Sequence, residues 1–317
     1  MQINTISGEI LSESMGKTLV HEHVCYGPPG WSVDDSVINY DFDQYKNRAS
    51  NYLQRIHDDF GVETIIDATP IDAGRNLSVM EYAARNTDVN IIFSTGLYPE
   101  SRGASTYFNH RGMIGDPVDE IRELFVTELV DGVSETENRA GVIKVGTSNG
   151  SVTDYDRMIL SAAARAQSET GAPIITHTEN GTCGVAQLDI LEEEGADVSK
   201  VMIGHIGNHD IDAQREITER GAFVAFDQLG TASGEQRSAK IEKIETLLRE
   251  GRAENITLSH DYIINYLTRS AEVIYEDLNE WDMSFVFENV IPELEARGIE
   301  EDVLRDALTA NPQSLFE

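Results

Sequence analysis

The chain has few cysteines, no long apolar run and no leader-like start. Only two of its 317 residues are cysteines, Cys25 and Cys183, and they do not form a paired-thiol spacing. This excludes a disulfide scaffold and a cysteine-based zinc site. No segment approaches the roughly 18 consecutive apolar residues that a membrane helix needs. The N-terminal segment also lacks the basic region and apolar core of a secretory signal, so we expect a cytoplasmic protein.

Basic residues are scarce as well. The chain has 56 acidic residues against 24 basic ones, of which six are lysines, and its formal net charge is −32. The acids are spread along the whole sequence, so the charge belongs to the entire surface, and we expect nucleic acid and anionic membranes to be repelled. Uniform acidity with little lysine predicts a halophilic protein, because concentrated salt screens the self-repulsion. An acidic mesophilic enzyme is the alternative.

A glycine-rich dinucleotide motif is missing after the first apolar run, and no glycine- or proline-rich linker divides the chain. Eight short apolar runs alternate with amphipathic stretches, and each run predicts a buried strand. The predicted strands are Thr18–Val24, Thr64–Thr69, Asn90–Leu97, Gly141–Thr147, Pro173–Thr178, Val201–Ile206, Ala222–Leu229 and Ile256–Tyr262. Predicted helices between them include Asp154–Thr170, with Asp154 as its N-cap, and Ile241–Arg249.

Eight strand–helix units with nearly continuous apolar strands predict an α/β fold in which helices cover a parallel sheet. The number eight favours a closed (β/α)8 TIM barrel over an open sheet. We therefore expect residues 1–317 to form a single barrel domain with a short N-terminal hairpin as an extension.

Two histidines stand two residues apart in the first predicted strand, at His21 and His23. Alternate side chains of a strand point to the same face, so two imidazoles at this spacing can bind one cation. The alternative is a pair of ordinary histidines, one of them exposed at the surface.

Later strands carry further polar side chains toward their C-terminal ends, where barrel enzymes present catalytic groups. These are Lys144, His177, His205 and Asp261. Taken singly, each histidine could be a satisfied core residue, the lysine an edge residue or a Schiff-base nucleophile, and the aspartate a helix cap. Together, four imidazoles and an aspartate can hold two divalent ions, provided that bridging anions offset the repulsion between the ions.

In order and location this set resembles the phosphotriesterase family of the amidohydrolase superfamily. The resemblance extends to Gly204-His205, Ser259-His260-Asp261-Tyr262, Asn289-Val290-Ile291-Pro292-Glu293-Leu294 and Asn311-Pro312. It implies a binuclear metal centre in which His21, His23 and Asp261 bind the more buried ion and His177 and His205 the more exposed one. Lys144 would bridge both ions as N6-carboxylysine, a carbamate derived from CO2.

The resemblance implies metal-assisted hydrolysis by a hydroxide that bridges the ions, with Asp261 orienting it and accepting its proton. Zinc is the expected metal, and manganese, cobalt and iron also suit these ligands. The segment Gly96-Leu97-Tyr98 resembles the lactonase branch, in which a tyrosine reaches toward the metals. Tyr98 is therefore a candidate catalytic residue, or an aromatic residue of the rim, and we expect a small ester, a lactone, as the substrate.

The chain departs from the lactonase branch at two positions. Gln228 stands where that branch has arginine after aspartate, and Asn208 stands where it often has aspartate. An amide can position a substrate but cannot relay a proton at neutral pH. We therefore predict an altered substrate pocket that includes Gln228, Asn208, Cys25 and Ile263.

Four arginines in or near the predicted post-strand loops are candidates for binding an anionic substrate, or else are solvated surface charges: Arg75, Arg102, Arg111 and Arg269. Other functions also stay open for the candidate metal ligands. They are phosphotriester or amide hydrolysis, deamination at a single metal ion, a Schiff-base aldolase that uses Lys144, and a non-catalytic metal-stabilised binding protein. We also expect the protein to be a homodimer.

Overall fold

The computed structural model describes residues 1–34, 36–103, 106–232, 234–268 and 281–317. Within these residues, two short antiparallel strands precede nine parallel ones. The hairpin strands are β1 Gln2–Thr5 and β2 Gly8–Leu11, and the others are β3 Lys17–Tyr26, β4 Val62–Asp67, β5 Asn90–Gly96, β6 Val142–Thr147, β7 Ile174–Thr178, β8 Val201–Ile203, β9 Phe223–Phe226, β10 Ile256–Leu258 and β11 Tyr262–Tyr266. The predicted N-terminal hairpin is confirmed.

The nine parallel strands form one sheet in the order β10-β9-β8-β7-β6-β5-β4-β3-β11. Strand β10 is the first part of the eighth predicted strand, Ile256–Tyr262, and β11 begins at its last residue and continues to Tyr266, with Asp261 in the turn between them. Ile256 of β10 pairs with Val224 of β9, whereas Ile263 of β11 pairs with His23 of β3. The eighth strand therefore joins the last strand of the sheet to the first, which gives the (β/α)8 barrel that the sequence predicts.

Helices surround the barrel. They are α1 Phe42–Phe60, α2 Leu77–Arg85, α3 Thr106–Arg111, α4 Pro117–Val130, α5 Asp154–Thr170, α6 Gly184–Glu193, α7 Ile211–Glu219, α8 Gly234–Arg249, α9 Ile291–Ala296, α10 Glu301–Asp306 and α11 Ala310–Ser314. Among the described residues, no helix combines the length and the apolar character needed to cross a membrane.

Helix α5 has the predicted bounds but a different N-cap. The side chain of Thr153, not Asp154, accepts a hydrogen bond from the backbone N–H of Asp156, and the side chain of Asp156 accepts one from the backbone N–H of Thr153 in a capping box. Threonine fits this position because its extended backbone leaves the hydroxyl free to reach the third helical residue. The helix ends at Gly171, whose φ of 73° is the left-handed conformation that glycine adopts at low cost.

The inside of the barrel changes from apolar to polar along the strands. Val142 and Ile175 belong to a buried cluster of inward-facing side chains toward the N-terminal end. Lys144 and His177 lie two residues farther along the same strands, so strand alternation places them on the same inner face. The apolar layer therefore forms a floor, and the polar side chains lie above it at the C-terminal end of the barrel.

Candidate metal centre

The structure brings together six side chains that come from five different parts of the barrel. His21 and His23 extend from β3, Lys144 from β6 and His177 from β7, whereas His205 follows β8 and Asp261 separates β10 from β11. All four histidines and the lysine are buried, and the side chain of Asp261 is 18% exposed. These are the six residues that the sequence predicts as ligands.

Asp261 lies at the centre of this cluster. Its Oδ1 is 3.0 Å from Nε2 of His23 and 3.6 Å from Nε2 of His21, and its Oδ2 is 3.8 Å from Nε2 of His205. Nζ of Lys144 lies 3.0 Å from Nε2 of His21. The ligand atoms of His21, His23 and Asp261 are close enough together to hold one metal ion.

His177 completes the cluster on the side of His205, with 4.6 Å between the two ring centroids. Its Nε2 lies 3.1 Å from Oε2 of Glu179, but its buried Nδ1 has no hydrogen-bond partner among the described residues. A buried nitrogen without a partner costs free energy, and a bound cation would remove that cost. The nitrogen and oxygen donors of this cluster also suit zinc, manganese, cobalt and iron, so the residues fit a metal centre.

Burial keeps two of the histidines, His21 and His177, in the form that binds metals. Burial, together with the positive charge of Lys144, lowers the pKa of His21 to about 3. Burial and the charge of His205 likewise lower the pKa of His177 to about 3. Both imidazoles are therefore neutral near pH 7, which is the protonation state of a metal ligand.

Burial also acts on the amine of Lys144. Burial lowers its pKa to about 8, although the carboxylates of Asp227 and Asp261 act against the shift. At neutral pH a larger fraction of this amine is uncharged than for an exposed lysine. Only an uncharged amine can react with CO2 to give a carbamate, so the environment favours the modification that the resemblance implies.

Two further residues orient the histidine rings. Asp227, fully buried at the end of β9, lies 2.6 Å from Nδ1 of His21 and 2.9 Å from Nδ1 of His205. Oγ1 of Thr69 lies 2.8 Å from Nδ1 of His23. Because these contacts occupy Nδ1, the Nε2 atoms are left for the centre of the site. His21, His205 and Asp227 are also close enough to hold an ion, but we assign Asp227 to ring orientation since it occupies both Nδ1 atoms.

The backbone is strained where two candidate ligands leave the sheet. His205 has a φ of 60° and Asp261 a φ of 56°, which are left-handed conformations that only a few per cent of non-glycine residues adopt. Glu22, on the opposite face of β3, stabilises the second turn: it accepts hydrogen bonds from Oγ of Ser259 and from the backbone N–H groups of His260 and Tyr262. This network turns Asp261 toward the histidines.

The predicted pocket residues, together with Tyr98 as the candidate catalytic residue, divide into two groups. Gln228 and Tyr98 lie at the centre: Nε2 of Gln228 donates to Oδ2 of Asp261 over 2.9 Å, and the Tyr98 ring lies 5.3 Å from that of His177. Ile263 belongs to a small cluster that also contains Tyr98.

The other two predicted pocket residues lie farther out. Asn208 is exposed in the turn after β8. Cys25 is packed in the apolar layer between the strands and helices, and the neighbouring Tyr26 occupies the position beside the His23 ring. Cys25 therefore does not share the inner face of the barrel with the histidines, although strand alternation predicts that it does.

Three of the four candidate arginines form ion pairs with glutamates. The side chain of Arg75 is buried and bonded to Glu128, and the partly exposed Arg111 is paired with Glu120, so for Arg111 the structure agrees with the alternative of a surface charge. In this acid-rich chain both find carboxylate partners on helix α4. Arg102 is paired with Glu179, the contact of His177, and so lies near the centre. Arg269 lies outside the described residues.

Three residues around the site were not predicted from the sequence: Asp227, Thr69 and Glu179. Asp227 had a visible signal, because it is an acidic residue within an apolar run that forms a buried strand. A charged group in that position requires a polar partner. Thr69 and Glu179 had no comparable signal, since a threonine at a strand end and an acid in a loop are common.

Comparison with known proteins gives a consistent set of relatives. Residues 1–316 match the phosphotriesterase family. The chain is 32% identical over 311 residues to an aryldialkylphosphatase of Saccharolobus solfataricus, which covers 97% of this chain and 96% of that protein.

Two similar solved structures come from Deinococcus radiodurans. An organophosphorus hydrolase superimposes with a TM-score of 0.95 at 35% identity, covering 100% of this chain and 97% of that one. A mutant of a PTE-like lactonase superimposes with a TM-score of 0.94 at 34% identity, covering 99% and 100%.

Proposed function

This chain belongs to the phosphotriesterase family, and we propose that it hydrolyses the ester bond of a small lactone at a centre of two divalent metal ions. The observation that carries the proposal is the convergence of six donor side chains around one point, with the buried Nδ1 of His177 left without a hydrogen-bond partner among the described residues.

In this proposal His21, His23 and Asp261 would hold one ion, His177 and His205 would hold the other, and Lys144, as a carbamate, would supply a ligand to both. Ions bound there would lower the pKa of water and polarise the substrate carbonyl. The alternating strand geometry of β3 and the left-handed turns at His205 and Asp261 aim the ligands inward.

Asp261 is placed to hold a proton during the reaction. Burial alone would raise its pKa, but the charge of His205 and the hydrogen bond to His23 lower the pKa well below its usual range. The carboxylate is therefore ionised at neutral pH and is able to accept a proton from the attacking water. Gln228 donates to Oδ2 and so fixes the orientation of this carboxylate.

Tyr98 is placed to act as a donor. Burial raises the pKa of its phenol well above the usual value, so the hydroxyl keeps its proton. Its ring packs against the ring of His177, a candidate ligand, and against Tyr26. We assign Tyr98 the role of donating a hydrogen bond to the carbonyl or leaving oxygen of the lactone.

The similar lactonase structure supports a lactone as substrate. A phosphotriester is the second candidate, because the Saccharolobus solfataricus relative is named for that activity. A hydrolysis screen of lactones, aryl esters, amides and phosphotriesters, in high salt with added divalent metal, separates these classes. We expect lactones to give the highest kcat/KM, and we expect activity to disappear on chelation and to return with metal.

Metal content tests the centre itself. We expect about two ions per chain in the active protein and a clear loss of bound metal in His177→Ala, with His110→Ala, an exposed histidine of α3, as the control. One tightly held ion would favour the deaminase alternative, and trapping of a carbonyl substrate by borohydride would favour the aldolase.

The carbamate has its own test. In Lys144→Ala we expect binuclear metal binding and activity to be lost, because the bridge is missing. Short carboxylic acids should restore part of both. Lys46→Ala, which removes a lysine paired with Asp43 on α1, should change neither. Full activity of Lys144→Ala without added acid would contradict the carbamate bridge.

A further inference from the structure

His177 is held differently from the other three histidines of the candidate centre. In His21, His23 and His205 a side-chain partner occupies Nδ1, and Nε2 points toward the carboxylate at the centre. In His177 the partner is Glu179, whose Oε2 lies 3.1 Å from Nε2, and the buried Nδ1 has no partner among the described residues. The nitrogen that His177 offers to a metal ion is therefore Nδ1.

The contact with Glu179 decides which ring nitrogen of His177 carries the proton. A neutral imidazole has one N–H group, and an ionised carboxylate can only accept a hydrogen bond. Because Oε2 of Glu179 lies beside Nε2, the proton belongs on Nε2, and the lone pair of Nδ1 stays free for an ion. A carboxylate in this position also makes the ring more basic, which strengthens its bond to a cation.

Arg102 holds the carboxylate of Glu179 from the other side. Nη2 of Arg102 donates to Oε1 over 2.8 Å, and Nε donates to Oε2. This two-pronged contact fixes the plane of the carboxylate as well as its position. The carboxylate therefore joins a guanidinium to a candidate ligand, with Arg102 on one side and His177 on the other.

Backbone hydrogen bonds anchor the two loops that carry this ion pair. In the loop after β5, two residues before Arg102, the N–H of Glu100 donates to Oδ1 of Asp156 over 3.0 Å. In the turn after β7, the carbonyl oxygen of Glu179 accepts from the N–H and Oγ1 of Thr182 over 3.1 and 2.8 Å. The ion pair thus connects two segments of main chain that are each fixed at the C-terminal end of the barrel.

Arg102 acts on an ion at His177 in two opposite ways. Its positive charge repels a cation, but its hydrogen bonds keep the carboxylate of Glu179 directed at the ring. The side chain of Arg102 is 46% exposed, so water and salt screen its charge. The side chain of Glu179 is only 14% exposed, and its contact with the ring is direct. We therefore expect orientation to outweigh repulsion.

We infer that Glu179 and Arg102 are positioning residues for His177: Glu179 holds the ring with Nδ1 free for the ion, and Arg102 holds Glu179. This role rests on the proposed function for the presence of a metal centre, but the hydrogen bond of the ring can be measured without it. The loop after β5, which also contains Tyr98, would then contribute to the affinity for one of the two ions.

Cadmium, used as a spectroscopic substitute for zinc, allows the two ions to be observed separately by cadmium NMR during competition with a chelator. The resonance of the ion at His177 is the one that is lost in His177→Ala. We expect Glu179→Met to weaken binding of this ion about 10- to 100-fold and to leave the other within about twofold. Glu179→Gln should have a smaller effect, because its amide oxygen still accepts from Nε2–H.

Variants of Arg102 test whether this residue acts through Glu179. Arg102→Gln should weaken binding of the ion at His177 about two- to fivefold, the effect of losing a half-exposed ion pair. Combined with Glu179→Met it should cause no further loss, because its partner is already missing. Arg165→Gln and Glu194→Met are matched controls, since they break a half-exposed pair between α5 and the end of α6, and should leave both affinities unchanged.

Proton NMR of the imidazole N–H groups gives a readout that general destabilisation does not imitate. We expect one N–H resonance that is absent in His177→Ala and that exchanges slowly with water in the unmodified chain, because Glu179 accepts its hydrogen bond. The same proton should exchange rapidly in Glu179→Met. Circular dichroism checks the fold of each variant, and Glu179→Gln carries the comparison where Glu179→Met does not fold.

Two results would overturn the positioning role. One is an unchanged affinity for both ions in Glu179→Met, which would leave the hydrolase as proposed. The other is a ring proton of His177 that resides on Nδ1 or does not depend on Glu179. In a chain that binds no divalent ion, a slowly exchanging Nε2–H that depends on Glu179 would contradict the proposed function but support the contact that orients the ring.

Discussion

At the scale of single residues, Asp227 orients two of the candidate ligands without being assigned as a ligand itself. Its two oxygens serve Nδ1 of His21 and Nδ1 of His205 separately. In Asp227→Asn one oxygen becomes an NH2 group, which cannot accept from a ring N–H, so one histidine loses its fixed orientation.

We therefore expect Asp227→Asn to bind metal about 10- to 100-fold more weakly than the unmodified chain, measured by competition with a chelator. Asp212→Asn, at an exposed aspartate paired with Arg215, is the control and should leave metal affinity unchanged. Equal metal affinities of the two variants would show that Asp227 does not orient the ligands.

The residue scale is also where the sequence is most informative. Polar side chains within apolar strands are exceptional, so His21, His23, Lys144, His177 and His205 stand out in the sequence alone. Their partners do not, because a hydrogen bond such as that of Thr69 to His23 depends on which strands are neighbours and in which register. Strand order and register are properties of the folded sheet.

At the scale of elements, the end of β5 depends on close contact with β6. Gly96 has a φ of 125°, and a Cβ atom there would lie 1.8 Å from the carbonyl oxygen of Lys144. That oxygen belongs to backbone in the middle of the barrel and also accepts from Leu97 N–H, so it cannot move away.

We expect Gly96→Ala to lower the free energy of unfolding by about 3 kcal/mol or more, through backbone strain and overpacking, and to lower metal content by displacing Lys144. Gly251→Ala is a suitable control, since Gly251 has a φ of 80° but no atom within 4 Å of an added Cβ. It should cost only about 1 kcal/mol for the left-handed conformation. Urea unfolding of both variants tests this difference, and equal costs would contradict the clash.

The sequence predicts the ends of a helix or strand well only where the apolar pattern and the end signals are clear. Helix α5 has a continuous apolar face and clear end signals, and its bounds agree with the structure. Helix α8 begins at Gly234 rather than Ile241, because its first turns are mostly polar and exposed and so lack an apolar period. The eighth strand is divided at Asp261, where a left-handed turn interrupts a run whose composition favours a continuous strand.

At the scale of the whole molecule, the net charge of −32 dominates. Arginines such as Arg215 and Arg220 each contact acids from neighbouring elements, for example Glu250 and Asp189. Exposed pairs of this kind contribute little each, about 0 to 1 kcal/mol, so they do not offset the repulsion of a large acidic excess. Repulsion between exposed charges acts over about 10 Å at 0.1 M salt but only about 3 Å at 1 M.

We therefore expect the thermal unfolding midpoint to rise by several degrees between about 0.1 M and multimolar KCl, with the steepest rise where the screening length falls below the spacing of surface acids. Sucrose at equal osmolality separates screening from general exclusion of solutes, since it leaves the charges unscreened. A midpoint that does not change with KCl, or that rises equally in sucrose, would contradict halophilic adaptation. In that case the acidity would be that of an ordinary mesophilic enzyme.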